Sequence, residues 1–381
     1  MRSILGFVIG ALMFSTAAPA TVYVVRPDGS GDFLTIQAAL NAVTNGDIIG
    51  LSNGTFSGPG NRDLDYLGKA VIVRSQSGSP EFCTIDCGGG PGNPHRGVYF
   101  HSGETETSVL EGVTISGGYA WGNGGSQADW GGAILCVYAS PRLFRCVFSD
   151  NQARDSGGAI WVSYGSPVIS ECTFSDNRAQ WGGGLLLWSS NAEVTECWFA
   201  DNQTTANGGG IYCTTGTSSI ITRVTLCANQ TDGRGGAIVC NNCSPSFSQC
   251  TCSGNQAHSG GSGIWTLNDA QPTFDHTIIA FSPYGASVSC GDGAGASLIC
   301  CDVYGNAGGD WVSCIADQVG VAGNFAADPL FCDSENRDFT LGSDSPCAPI
   351  GDCGLIGAWP VGCGPTAVET TSWGMLKAKF R

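Results

Sequence analysis

The sequence predicts an all-β chain wound into a single-stranded right-handed parallel β-helix, a three-sided solenoid of about 26 residues per coil. Two recurring signatures and a glycine-rich composition carry that expectation. The first signature is a glycine pair, a small residue and an aliphatic one: Gly131-Gly132-Ala133-Ile134, Gly157-Gly158-Ala159-Ile160, Gly182-Gly183-Gly184-Leu185, Gly208-Gly209-Gly210-Ile211 and Gly235-Gly236-Ala237-Ile238, with a weaker copy ending at Ile264. Its aliphatic residues stand 26, 25, 26, 27 and 26 apart. The second is Phe-x-x-Asn, at Phe148/Asn151, Phe174/Asn177 and Phe199/Asn202, weakening to Leu226/Asn229 and Cys252/Asn255. The two drift in step, so they belong to one unit that buries its apolar face only against its neighbours. The 58 glycines show no G-X-Y period and therefore ask for turns.

Within a unit the apolar residues alternate in short bursts, the mark of strands, and no helical stripe occurs. Three interior columns follow. Leu143, Ile169, Val194, Ile221, Phe247 and Phe274 form one; Cys146, Cys172, Cys197, Val224, Cys250 and Thr277 a second; Ile115, Phe148, Phe174, Phe199, Leu226, Cys252, Ile279 and Val303 a third. The asparagine after each Phe position tolerates a left-handed corner, and its amide can bond the next coil. The glycine pair suits a corner where no Cβ fits.

The ends differ from the middle. Residues 1–20 read as a signal peptide: a basic start at Arg2, an apolar run, and Ala18-Pro19-Ala20 as the cleavage site. The helix is expected over 21–310. Its N-terminal cap occupies 21–50, where Thr35 can N-cap a short helix bearing Ile36, Leu40 and Val43, and regular repeats run from about 130 to 310. Residues 311–363 form a cysteine-rich C-terminal cap; eight cysteines stand between Cys290 and Cys363, and disulfides are their expected use. Residues 364–381 form a linker and a sorting or anchoring tail, with Trp373, Leu376 and Phe380 on one helical face, or else a frayed terminus.

The repeat resembles that of chlamydial polymorphic outer-membrane proteins in its Gly-Gly-Ala-Ile and Phe-x-x-Asn pairing. The coil as a whole resembles the pectin-lyase-like superfamily and bacterial right-handed β-helix repeat proteins, most strongly over 130–310. Val25 to Ile49 is similar to the opening of pectinesterases. These resemblances imply the fold. They do not extend to catalysis: the Gly-His-Gly and Arg-Ile-Lys of polygalacturonases are missing, as are the Gln-Asp-Thr-Leu and Asp-Phe-Ile-Phe-Gly segments of pectinesterases.

Charge and cysteine content narrow the partners. With 32 acids against 16 Lys and Arg, the chain repels phosphate backbones, so nucleic acid is not an expected partner. Twenty cysteines fit an oxidising compartment, extracellular or at the cell surface, and no segment of the mature chain is long enough to span a membrane. The interior cysteine column either packs as free thiols or forms disulfides; a metal site is not expected there.

Three features bear on function. Asp150, Asp176 and Asp201 occupy one turn of three consecutive coils, and they splay into water, with Arg154 and Arg178 near in sequence, or hold calcium, the one cofactor this chain suggests, or supply a catalytic acid. In the adjoining corner column, Arg145/Glu171 and Glu196/Arg223 alternate sign and read as register support. Trp161, Tyr212 and Trp265 share an outward column with Leu135, Leu186 and Val239, while Trp188 and Trp198 lie at other outward positions and Trp130 and Trp181 precede glycine corners. Such an aromatic face suits sugar rings or an apolar partner; alternatively it packs beneath the 117–130 loop. The expectation is an adhesin-like scaffold binding a polysaccharide or a surface protein through this face, with no catalytic residue assigned. A polysaccharide lyase or hydrolase, and a passive structural surface protein, are the alternatives.

Overall fold

The computed structural model describes residues 20–122, 127–349 and 351–364; the expected signal peptide, up to residue 19, and the expected tail beyond Gly364 lie outside the described residues. One coil shows how the chain turns. Ile160–Ser163, Val168–Ser170, Thr173–Ser175 and Arg178–Trp181 are successive strands, and each pairs in parallel with its counterpart one coil away. Among the described residues these stacks make sheets of nine, eleven, ten and six strands respectively. The three long sheets are the expected faces. The six-stranded strip is an addition, a side arm present only from Tyr119–Ala120 to Gln256–Ala257. Each corner of the coil carries a left-handed residue: Gly157 (φ 65°), Tyr164 (53°), Glu171 (53°) and Asp176 (57°).

The interior columns stack in the expected register. Phe148, Phe174 and Phe199 are fully buried, and the last two rings stack at 4.3 Å. The cysteine column consists of free thiols. Each donates to carbonyls of the corner it sits under, as Cys172 does to Ser170 (3.3 Å) and Leu143 (3.6 Å), and Thr277 makes the equivalent bond to Asp275 through its hydroxyl. Burial raises the Cys146 and Cys172 thiols far above their ordinary value and pushes Cys250 up to about 12, so these thiols stay protonated and unreactive.

At the N-terminal end the helix Ile36–Ala42 closes the first coil, with the Thr35 Oγ1 accepting from Ala38 N–H at 3.2 Å. At the other end Trp311, Ile315 and Asn324 continue the stacking beneath the last coil. The cysteine-rich segment runs on beyond them. It doubles back along the outer face of the ten-stranded sheet, where Phe331–Asp333, Asp338–Gly342 and Val361–Cys363 form a small sheet. Leu341 and Ile356 pack on Ile278 and Ala280, and Trp359 donates to the Thr225 hydroxyl at 2.8 Å. Disulfide Cys300–Cys353 fastens this arm to the last coil, Cys332–Cys363 closes it on itself and Cys290–Cys314 ties the turn beneath the last coil, leaving fourteen free cysteines among the described residues. No helix among the described residues is long and apolar enough to cross a membrane.

Asp302 lies fully buried where the arm meets the last coil, accepting from Ala327 N–H (3.1 Å) and the Cys347 thiol (3.3 Å). Burial pushes its carboxyl up to about 7 against the pull of those two bonds. The unfolded carboxyl titrates near 3.9, so the folded protein holds an extra proton between the two values. This contribution is fully present below the unfolded pKa and is lost as pH rises through about 7. Unfolding free energies from urea titrations should therefore fall between pH 5 and pH 8.5, by roughly 3 kcal/mol from this group, and Asp302→Asn should flatten that decline.

Candidate ligand groove

The outer face of the nine-stranded sheet is apolar where an exposed face would be polar. Leu135, Trp161, Leu186, Tyr212 and Val239 form a second hydrophobic cluster, separate from the core, with Trp130, Trp181, Tyr99 and Trp265 packed on it. The walls come from the corners. On one side the glycine corner folds the side arm towards the sheet, bringing Trp130 and Trp181 over the strip; Trp130 stacks on Trp161 at 4.4 Å. On the other side Tyr138 and Tyr164, left-handed corner residues of adjacent coils, stack at 4.8 Å and stand 65% and 52% exposed. Between the walls runs an open groove of about 600 Å³, whose lining spans five coils from Val137 to Asn241. At the strand spacing of about 4.8 Å this is roughly 19 Å of length.

One carboxylate enters this groove, and the lining holds no Lys, Arg or His. Asp155 arrives there through a bulge. Gln152 pairs with Arg178, but Ser156, four residues on, pairs with Trp181, only three beyond Arg178, so one residue is in excess; the Gln180 and Trp181 N–H groups both donate to the Asp155 carbonyl at 2.9 Å. Its Oδ2 accepts from Trp130 Nε1 at 3.0 Å, and its buried Oδ1 has no partner among the described residues. The polar floor is completed by the Tyr212 hydroxyl, which accepts from Asn241 Nδ2 at 3.0 Å, and by Ser163 and Thr214.

The structure divides the aromatic residues singled out in the sequence. Trp161, Tyr212 and Trp188 line the groove, although Trp161 and Tyr212 are buried in its floor and Trp188, 40% exposed, is the accessible ring. Trp265 continues the strip one coil further, under the Arg234 guanidinium at 4.7 Å. Trp198 lies away from the groove, in the ten-stranded sheet, against Phe339 and Trp359 of the C-terminal arm. Tyr138, Tyr164 and Asp155 were not singled out. The two tyrosines share a repeat position 26 residues apart, which is a legible signal; Asp155 has none, because a bulge has no place in the repeat.

The aspartate row sits at the corner after the ten-stranded sheet, all three residues left-handed. Partial burial, then the charges of Asp201 and Asp150, raise the Asp176 carboxyl. Relief comes mainly from a residue the sequence did not suggest. Arg337 of the C-terminal arm pairs with both oxygens of Asp201, at 2.6 and 2.8 Å. Among the described residues no group of three His, Cys, Asp or Glu side chains is arranged to hold a metal ion.

A coil of three long parallel sheets with interior aliphatic, aromatic and asparagine columns defines a right-handed parallel β-helix protein. Residues 96–279 match the family model described as right handed beta helix region. That similarity covers 184 of the chain's 381 residues, and the stacked parallel sheets carry the same coil on either side of them. Pectin methylesterase from carrot aligns at 12% identity and a TM-score of 0.38, over 86% of this chain and 92% of that one. The pectate lyase Pel9A aligns at 12% and 0.44, over 90% and 97%, and a pectin methylesterase from Aspergillus niger at 14% and 0.38, over 81% and 95%. A comparison with curated protein sequences gives no match.

Proposed function

We propose that this protein is an extracellular or cell-surface scaffold that binds a neutral glycan along the groove of its nine-stranded sheet. The observation that carries the reading is the lining itself: tryptophan and tyrosine rings on floor and both walls, with a single carboxylate and no cation. Aromatic faces stack on the C–H faces of sugar rings, while Asp155, Ser163, Thr214 and the Tyr212 hydroxyl are placed to meet sugar hydroxyls. A polyuronate would bring a carboxylate on every residue, which this lining does not neutralise. Binding is favoured over cleavage because glycoside hydrolysis ordinarily uses two carboxylates across the scissile bond, and the lining supplies Asp155 alone. Three disulfides support an oxidising compartment.

Calorimetric titration with neutral oligosaccharides of four to six units tests this. We expect at least one to bind, and Trp188→Ala and Trp181→Ala each to weaken it by about tenfold, near 1.4 kcal/mol. Binding that is indifferent to both substitutions would overturn the assignment. Accumulation of reducing or unsaturated ends during the incubation would replace it with the hydrolase or lyase reading.

A further inference from the structure

The six-stranded side arm carries a second trough, of about 260 Å³, whose chemistry is opposite to that of the groove. Strand register sets its columns. Gln152, Arg178, Gln203 and Gln230 are aligned partners on successive coils, and Ala153, Ala179, Thr204 and Thr231 run beside them. Arg154, Gln180, Thr205 and Asp232 follow along the far side, and Trp121 closes one end.

Three observations point to a ligand. First, the charge is inverted. In a chain of 32 acids against 16 Lys and Arg, the trough holds two arginines and one carboxylate, and that carboxylate, Asp232, lies 3.7 Å from His258. Second, the arginines are not consumed by the fold. Arg145, Arg223 and Arg337 are ion-paired, but the Arg178 guanidinium has no hydrogen-bond partner among the described residues, and Arg154 gives one bond, to the Gly122 carbonyl at 3.1 Å, with the Trp121 ring 6.0 Å away. Third, Thr204 is 5% exposed and its Oγ1 has no partner among the described residues. A buried hydroxyl left unpaired is costly, and a ligand hydroxyl reaching it would remove that cost.

We propose that this trough is a second saccharide site, for an oligosaccharide bearing a carboxylate or sulfate ester. Arg154 and Arg178 hold the anion, since a guanidinium presents paired N–H donors that match either oxyanion. The glutamine amides, which donate and accept, repeat at the coil spacing of about 4.8 Å, close to the length of one pyranose unit, and engage successive ring hydroxyls with Thr204. The site stands independently of the aromatic groove, on other residues and with opposite charge preference.

Titration at low ionic strength with three probes of equal length tests the assignment: tetragalacturonate, a heparin-derived tetrasaccharide and cellotetraose. At least one anionic probe should bind, lose affinity as salt is raised, and bind at least tenfold more weakly to the double variant Arg154→Gln/Arg178→Gln. Thr204→Val should weaken the same probe several-fold without lowering thermal stability, because the hydroxyl it removes makes no bond in the free protein. Trp188→Ala should leave this binding unchanged, which separates the trough from the groove. Whichever anionic probe binds identifies the oxyanion. Failure of both anionic probes, equal binding by the double arginine variant, or cellotetraose binding that responds to it would overturn the proposal.

Discussion

Replacing Asn202 with alanine should lower stability by on the order of 2–6 kcal/mol, several times the effect of an ordinary surface change. The side chain is fully buried in a ladder that includes Asn151, Asn177, Asn229 and Asn255. Its Oδ1 accepts from Asn177 N–H at 3.2 Å and from Asn177 Nδ2 at 2.9 Å; its Nδ2 donates to the Phe174 carbonyl at 3.0 Å and to Asn229 Oδ1 at 2.9 Å. Alanine leaves the Asn177 N–H and one Asn177 amide proton without partners in a dry interior, and the Phe174 carbonyl keeps only its ladder bond to the neighbouring strand. Each such orphan costs about 1–3 kcal/mol. Asn202→Asp should be nearly as harmful at neutral pH, because it keeps the acceptors but removes both donors and buries a charge. Coils interact chiefly with their neighbours, so hydrogen exchange should accelerate first around residues 174–229 and only weakly near the N-terminal helix. A denaturation midpoint within error of the parent protein would show that water replaces the amide without loss.

This ladder also explains why so much of the fold was legible. A solenoid repeats one set of constraints, so each position is sampled many times. The Phe and Asn columns could be read because the core at that corner accepts little else. What the repeat does not sample stayed hidden. The side arm carries Gln152-Ala153-Arg154 in one coil and Gln203-Thr204-Thr205 in another, with no apolar alternation to mark it as strand. Trp198 looked available because the residues that cover it, Phe339 and Trp359, lie in a segment with no counterpart elsewhere in the chain. Arg337 meets Asp201 across 136 residues for the same reason. The aromatic floor was legible as a column, but the groove was not, since its walls depend on how sharply two corners bend.

The sharper of those corners gives the second large expectation. Gly158→Ala should be more damaging than its modest chemistry suggests, by at least about 4 kcal/mol, an overpacking cost at the upper end of single substitutions. A Cβ at Gly158 would lie 2.3 Å from the Gly183 carbonyl oxygen and 2.7 Å from the Arg178 nitrogen, and both are backbone atoms that cannot rotate away. The equivalent carbon at Gly132 would meet the Gly158 carbonyl oxygen at 2.2 Å, and at Gly183 the Gly209 carbonyl oxygen at 2.5 Å, so relief in one coil transfers the clash to the next. Gly90→Ala, with open space around its Cβ, should stay within about 0.5 kcal/mol. The two variants can be compared by thermal and urea unfolding. The functional consequence follows from the same geometry: lifting the side arm carries Trp130 and Trp181 off the floor strip and opens one wall of the groove. A Gly158→Ala protein that still folds should therefore bind neutral glycan poorly while its far flank, where the C-terminal arm packs, remains protected. Parent-like stability would mean that backbone shifts absorb the carbon, and the glycine pair would then owe its repetition to the left-handed Gly157 alone.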